Sequence, residues 1–518
     1  MGRDRTPDGT PRGGLRVAGA RLALAACVLL LTSQAFAAGP LGGSHGSSPL
    51  PDLAPLPSPG TGSVSTLGSG SGSDTGTILG PSLKVPLSTS PVTAPLNNPL
   101  GTVPSLGSDL RAGLSPDLKD LSKNVRETIQ QAGNSARPVR RGFVLPTADE
   151  RRFVTNEVVL DVPNIPGATL EAIARRHRLT LIGSRTLALT GHTIYRWRID
   201  DGRSVADVIR ALSAEQRISA AQPNFTFTLQ EESKSATGEG EPAQYAAAKL
   251  HLAEAHRLAN GDNVLVAVID SGIDASHPEL AGIVAGSYDA IPGDTRPHPH
   301  GTAVAGATGA HGKLIGVAPR VRLLAIRAFG AGVEQEGTTF GIIEGLDWAV
   351  AHGARVVNMS FAGPADPALQ EALAKARKKG LVLIAAAGNA GPKSPPAYPG
   401  ADPNVIAVTA TDRDDRLFAR ANRGSYIALA APGVDILTPA PNGAMQLATG
   451  TSIAAAHVSG IAALLLERKP SLRPDELRKI LLTSAKHMGE KPRDNDFGAG
   501  LADALDALSA LAPKAAAK

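Results

Sequence analysis

Ser452 lies in Gly450-Thr451-Ser452-Ile453-Ala454-Ala455-Ala456-His457, a small-residue turn running into an apolar, helix-forming segment. That placement suits a nucleophile. A serine in the first turn of a helix carries its oxygen at the tip, where unpaired backbone N–H groups can hold a developing negative charge. The preceding glycine permits close backbone approach, and the alanines that follow leave room for a substrate. Gly-Thr-Ser before a helix is also an ordinary N-cap, so nucleophilic chemistry calls for a base, an orienting acid and an oxyanion donor elsewhere in the chain.

Three upstream residues have the right chemistry. Asp270 closes the apolar run Val264 to Ile269, where a carboxylate needs a partner to offset its burial. Taken alone it reads as a turn or cap aspartate. His300 heads His300-Gly301-Thr302-Ala303-Val304-Ala305-Gly306, a helix slim enough for other elements to approach. His298, flanked by Pro297 and Pro299, reads instead as a surface loop residue. Asn389 follows the run Ile384 to Ala387 and Gly388, which sets an amide donor at a strand end, although Gly-Asn is equally a turn signal.

The elements that must position these residues are short runs that are apolar throughout. They span 264–269, 321–326, 356–359, 381–386 and 405–409, with helical stretches such as 339–351 and 367–379 between them. Fully apolar strands alternating with helices predict a parallel sheet covered on both faces, with ligands at the carboxyl ends of its strands. Before this region, strands at 153–160, 179–182, 193–199 and 218–228 and helices at 168–177 and 204–212 follow the order β-α-β-β-α-β. That order is ferredoxin-like. A polar connection over 231–241 joins the two parts.

The chain of 518 residues is long enough for two or three domains. Much of its glycine and proline falls in a low-complexity stretch over residues 38 to about 110, read as a disordered spacer. The charged residues from Asp109 to Arg152, with a short helix expected over 122–131, read as a solvated linker. Aromatic residues make up 3% and the formal charge is +5 without a long basic block, which argues against nucleic-acid binding. Arg12, Arg16 and Arg21 precede the apolar run Leu22 to Leu31, and Ala35-Phe36-Ala37 offers a cleavage site, the pattern of a secretory signal over residues 1–37. The single cysteine, Cys27, lies inside that signal. The expected location is therefore secreted or periplasmic, with a Cys27-lipidated, envelope-anchored form as the alternative and the only route to a membrane.

Taken together, the segments Val268–Asp274, His300–Gly306 and Gly450–His457, in the order Asp…His…Ser, closely resemble the subtilisin-like serine peptidases, or subtilases. Val357–Gly363 resembles the family's substrate-binding strand, and Ala386–Asn389 its oxyanion segment. The resemblance covers about residues 244 to 512 and implies a doubly wound, mostly parallel α/β sheet. It also implies that Ser452 is the nucleophile, His300 the general base and Asp270 the residue that orients His300. Asn389 and the Ser452 N–H would bind the oxyanion, Ser360, Phe361 and Ala362 an extended substrate, and Gly388 would shape a pocket for the residue before the scissile bond. The preceding α+β ferredoxin-like module, residues 151–230, resembles the family's inhibitory propeptide, and its extended end Gln222–Gln230 is expected in the groove. Self-cleavage is then expected between Leu229 and Gln244.

Some positions depart from the family pattern. Ala303 and Ala456 stand where many relatives carry histidine and proline, and Ile453 replaces the usual methionine after the nucleophile, an exchange expected to confer peroxide resistance. The loop Ala310–Gly316 is shorter than the calcium loop of secreted relatives and has no carboxylate, so no strong calcium site is expected there, and the chemistry needs no metal or other cofactor. The expected partners are polypeptide substrates and the chain's own propeptide. The competing readings are a catalytically inactive peptide-binding protein and an envelope-attached structural protein. A triad with its oxyanion asparagine intact speaks for an endopeptidase.

Overall fold

The computed structural model describes residues 140–511 except 164, 231, 236–243, 331–335 and 490. The expected signal, spacer and helix over 122–131 lie outside the described residues. Among the described residues no helix is long and apolar enough to cross a membrane.

The N-terminal module is built from β1 (Phe153–Val162), β2 (Leu179–Thr186), β3 (Thr193–Ile199) and β4 (Ala220–Leu229), with helices Gly167–His177 and Val205–Leu212. The strands form an antiparallel sheet in the order β4-β1-β3-β2, the ferredoxin-like arrangement. Strand alternation divides its side chains. Val158 and Leu160 join Ile173, Trp197, Ile209 and Leu212 in a core beneath the two helices, whereas Val159 and Ile194 point to the opposite face. That opposite face packs with Ile342, Leu346, Leu369 and Leu373 of the following region in a continuous apolar cluster. Ser204 caps the second helix through the Asp207 N–H.

Part of the stretch read as solvated linker is packed. Phe143 is buried in the module's core and pairs with Ala221. The Arg140 guanidinium donates to the carbonyls of Glu215 and Ile218. A single aromatic in a charged surrounding carries no periodic signal, which is why residue pattern alone missed it.

The connection after the module contains a further strand, β5 (Glu232–Ser235). Beyond it the chain forms β6 (Leu265–Asp270), β7 (Val284–Asp289), β8 (Arg322–Arg327), β9 (Glu336–Thr338), β10 (Val356–Met359), β11 (Phe361–Ala362), β12 (Val382–Ala386), β13 (Ile406–Thr411), β14 (Ile427–Pro432), β15 (Ile436–Ala440) and β16 (Ala444–Thr449). Seven of these make one parallel sheet in the order β14-β13-β12-β10-β6-β8-β7. The expected doubly wound α/β sheet is the one observed. Strands β7, β9, β14, β15 and β16 have no counterpart among the expected runs. β7 alternates half-buried and exposed positions at a sheet edge, and β15 and β16 form a separate antiparallel hairpin, so none of these three reads as a long apolar run.

Each central strand feeds both faces of the sheet. Val266 and Val268 of β6 face helices Pro299–Gly309 and Thr451–Arg468, while Ala267 and Ile269 face helices Thr339–Ala351 and Pro367–Lys378. The helix Thr451–Arg468 is buried from Thr451 through Leu466, so it runs through the centre of one layer. Full burial of each of its leucines contributes on the order of 2 kcal/mol. The order of strands reverses about β6: β7 and β8 lie to one side, and β10, β12, β13 and β14 to the other. The crevice at the carboxyl ends of β6, β10 and β12 is where such sheets bind ligands.

Candidate active site

Asp270 ends β6, His300 lies in the first turn of helix Pro299–Gly309, Asn389 follows β12 and Ser452 lies in the first turn of helix Thr451–Arg468. The fold brings all four to one crevice. His300 Nε2 is 3.1 Å from Ser452 Oγ, and His300 Nδ1 is 2.6 Å from Asp270 Oδ1. All three side chains are buried. Asp270 Oδ1 also accepts from the N–H and hydroxyl of Ser271, so the carboxylate is held from its own turn as well as by the imidazole. The residue after the base has to be small. A Cβ on Gly301 would lie 2.2 Å from the Gly272 carbonyl oxygen and 3.2 Å from Asp270 Oδ1.

Two of the open readings from sequence resolve here. Ser452 is not a cap: the N-cap of its helix is Gly450, without a side-chain cap bond. His298 is not a free loop residue. It is the N-cap of the helix that carries His300, and its Nδ1 accepts from the His300 N–H at 3.2 Å. Burial pushes the His298 pKa down, with the neighbouring His300 acting in the same direction and Asp270 opposing. Prolines on both sides of His298 obscured this, because the cap bond depends on where the helix starts rather than on the residue's neighbours.

The crevice is occupied by the chain itself. β4 leaves the N-terminal module and runs between β9 and β11, antiparallel to both: Phe227 pairs with Gly337, Thr228 with Ala362 and Leu229 with Phe361. The Gln230 N–H donates to the Ser360 carbonyl at 3.2 Å, which continues the ladder to the nucleophile. The Gln230 carbonyl oxygen then lies 2.7 Å from Asn389 Nδ2, 2.7 Å from Ser452 Oγ and 3.4 Å from the Ser452 backbone nitrogen. The Asn389 amide is oriented from behind, where its Oδ1 accepts from the N–H and hydroxyl of Thr451. Ser360, Phe361, Ala362 and Gly388 are thus all beside the docked segment; Gly388 lines a cavity with Gln230, Ala390, Ala397 and Asn422. Gly388 has φ +109°, and a Cβ there would meet Asn422 at 2.5 Å.

Phe227 is fully buried in a pocket beside Phe361 and Phe329, with ring centroids 5.8 Å apart for Phe227–Phe361 and 4.9 Å for Phe329–Phe361. A Cβ on Gly363 would come within 2.3 Å of the Phe227 ring. Two polar residues of β4 also hold helix starts. The Gln222 amide oxygen accepts from the Ala368 N–H while its nitrogen donates to Asp366, and Asn224 Oδ1 accepts from the Phe340 N–H. Burial raises the pKa of Asp366, with hydrogen bonds from Gln222 and Thr339 opposing. The register that puts Gln230 at Ser452 is a long-range pairing, and no local signal marks it.

Among the described residues no group of three or more His, Cys, Asp or Glu side chains converges as a metal site. In the loop expected to be weak for calcium, the N–H groups of Gly312, Lys313 and Leu314 all donate to the buried Glu279 carboxylate, at 2.8 to 3.0 Å. The three donors converge on an anion supplied by the chain itself.

The family described as the subtilase family matches this chain over residues 261–500. Subtilisin of Bacillus pumilus is 38% identical over 240 residues, which cover 44% of this chain and 86% of that protein. Subtilisin E of Bacillus subtilis (strain 168) is 38% identical over 240 residues, and there the chain spans 62% of the relative's length. Thermitase of Thermoactinomyces vulgaris is 36% identical over 230 residues, covering 43% of this chain and 81% of that one. Among solved structures, fervidolysin from Fervidobacterium pennivorans, described as a keratinolytic enzyme related to subtilisin, superposes with a TM-score of 0.60. At 24% identity, over 73% of this chain and 65% of that one, the likeness speaks to the fold.

Proposed function

The chain belongs to the subtilase family of serine peptidases, and from that premise we propose that it is a secreted serine endopeptidase made as an inhibited precursor that cuts itself once, between Gln230 and Glu231. The single observation that carries this reading is the seat of the Gln230 carbonyl, whose oxygen is 2.7 Å from both Asn389 Nδ2 and Ser452 Oγ. A carbonyl held there meets the nucleophile and the donor of an oxyanion site together.

The chemistry follows from the geometry. Ser452 Oγ attacks the Gln230 carbonyl carbon while His300 Nε2 takes the hydroxyl proton, and Asp270 holds the imidazole in the tautomer that leaves Nε2 free to accept. The oxygen that gains the charge stays beside Asn389 Nδ2 and moves onto the Ser452 N–H. Collapse breaks the bond to the Glu231 nitrogen, which receives the proton from Nε2. Water activated by the same imidazole then hydrolyses the acyl-Ser452 ester and frees the Gln230 carboxylate. None of these steps requires a cofactor.

On this reading residues up to 230 are a propeptide whose end imitates a substrate, and the leader at residues 1–37 directs export. The same groove would take other extended polypeptides, with an aromatic side chain favoured three residues before the one that is cut. The test is to express the full chain and its Ser452→Ala variant and to determine the N-termini over time. A new terminus at Glu231 that appears only in the unsubstituted chain, with fluorophosphonate labelling of Ser452, is the expected result. A full chain that stays intact and unlabelled would leave the fold as a binding module and overturn the proposal.

A further inference from the structure

Residues 232–235, on the far side of the Gln230–Glu231 bond, are also bound. β5 adds to the free edge of the β15–β16 hairpin as a third antiparallel strand, with Glu232 opposite Thr449, Ser233 opposite Ala448, Lys234 opposite Leu447 and Ser235 opposite Gln446. Thr449 is only three residues before Ser452, so this ladder begins at the nucleophile and runs away from it on the far side of the bond. The Glu232 carboxylate forms an ion pair with the Arg420 guanidinium. Arg420 lies on the segment between β13 and β14, and its carbonyl accepts from the Gly391 N–H at 2.9 Å, two residues after Asn389. Asn422 on the same segment accepts from the Ala390 N–H and donates from its own backbone N–H to the Gly388 carbonyl. The arginine is therefore tied in position to the loop that carries the oxyanion donor.

We propose that Arg420 is a specificity-determining residue for the leaving side of polypeptide substrates: residues two to five after the scissile bond lie along the edge of β16, as β5 does, and Arg420 selects a carboxylate at the second of them. This rests on the peptidase reading above. The chain's own Glu232 is the first occupant, and once it is released the edge of β16 is open to other chains. Strand addition supplies affinity through main-chain hydrogen bonds without regard to sequence, which leaves the ion pair to set preference. An exposed arginine–carboxylate pair of this kind shifts affinity by roughly two- to five-fold.

Two measurements test the proposal. The first uses the self-processed protein and peptides that share Phe-Thr-Leu-Gln before the cut, carry Glu, Ala or Lys at the second position after it, and end either one or five residues beyond it. The longer peptides are expected to be cut with higher kcat/KM, Glu to be preferred over Ala by roughly two- to five-fold, and Arg420→Glu to invert the Glu-over-Lys ratio. The second measurement does not depend on cleavage. In the full-length Ser452→Ala chain, amide hydrogen exchange over 232–235 and 446–449 is expected to accelerate in Glu232→Arg and in Arg420→Glu, and to recover when both are combined. Rates and exchange indifferent to peptide length, to the second residue and to the charge at position 420 overturn the site. Charge-dependent exchange without any cleavage overturns the peptidase reading and supports the strand-binding edge.

Discussion

The side-chain nitrogen of Asn389 donates to the carbonyl oxygen of Gln230 across 2.7 Å, joining two residues 159 positions apart in the chain. Asn389 is held for this contact by Thr451, whose N–H and hydroxyl both donate to its Oδ1, so the donor is oriented before any charge develops. Asn389→Ala is expected to slow conversion of the full-length chain by about 10²–10³, a magnitude established on subtilisin itself, with the precursor still folded. Mass-resolved time courses of processing measure it. A change below ten-fold would mean that the Ser452 N–H suffices.

The base is placed by close backbone contact. With a Cβ at position 301 only 2.2 Å from the Gly272 carbonyl, Gly301→Ala must push apart the turn that carries Asp270 and the helix that carries His300. Processing is expected to fall by at least 10², since a displacement of about 1 Å can cost that much. Circular dichroism and fluorophosphonate labelling separate a displaced triad from an unfolded chain.

The Phe227 pocket anchors the segment that leads into the site. Truncating a fully buried phenylalanine typically costs about 3–5 kcal/mol. Phe227→Ala in the full-length Ser452→Ala chain is expected to lose stability of that order in denaturant unfolding. Gly363→Ala, which sets a methyl within 2.3 Å of the Phe227 ring, is expected to loosen the same contact. The readout is faster hydrogen exchange in β4 and β11, and unchanged exchange in both variants would show that the ring is not the anchor.

His457 makes stability depend on pH. It is buried with Nδ1 2.8 Å from the Pro432 carbonyl, and burial pushes its pKa down to about 4 despite that hydrogen bond. The unfolded chain has the ordinary value of about 6.5. Between those values the unfolded state binds a proton that the folded state does not. The contribution of His457 is therefore complete above about pH 6.5 and declines as the pH falls toward about 4, by about 3 kcal/mol in all. In the Ser452→Ala background, His457→Gln is expected to flatten the stability curve between pH 7 and pH 4. Parallel curves for the two proteins would place the acid sensitivity elsewhere.

Glu279 organises the loop that follows helix Pro299–Gly309. Its carboxylate is buried and takes three backbone N–H groups from Gly312, Lys313 and Leu314. Hydrogen bonds to a charged group contribute about 1.5–3 kcal/mol each, without strict additivity. Glu279→Ala is expected to lower stability by at least about 2 kcal/mol, read by chemical denaturation, and added calcium is not expected to restore it. Rescue by calcium would show that the loop can bind a cation after all.

Much of the molecule was legible along the chain. The apolar runs ending at Ile269, Met359 and Ala386 announced a sheet covered on both faces, and Asp270, His300, Asn389 and Ser452 stood at element ends where such a sheet gathers its ligands. Those are local facts: burial requires apolar sequence, and glycine or alanine beside a reactive residue is written where it is needed. What only the tertiary structure decided is the partnering of distant segments. That Gln230 rather than any neighbour up to Gln244 meets Ser452, that Phe143 packs in the N-terminal core, that Glu232 reaches Arg420 and that His298 caps the helix of His300 all depend on register and on three-dimensional approach. Strand alternation says which face a side chain takes but not which residue lies opposite it, because pairing register is set by the packing of whole elements, and that information is spread over the chain rather than held in any one motif.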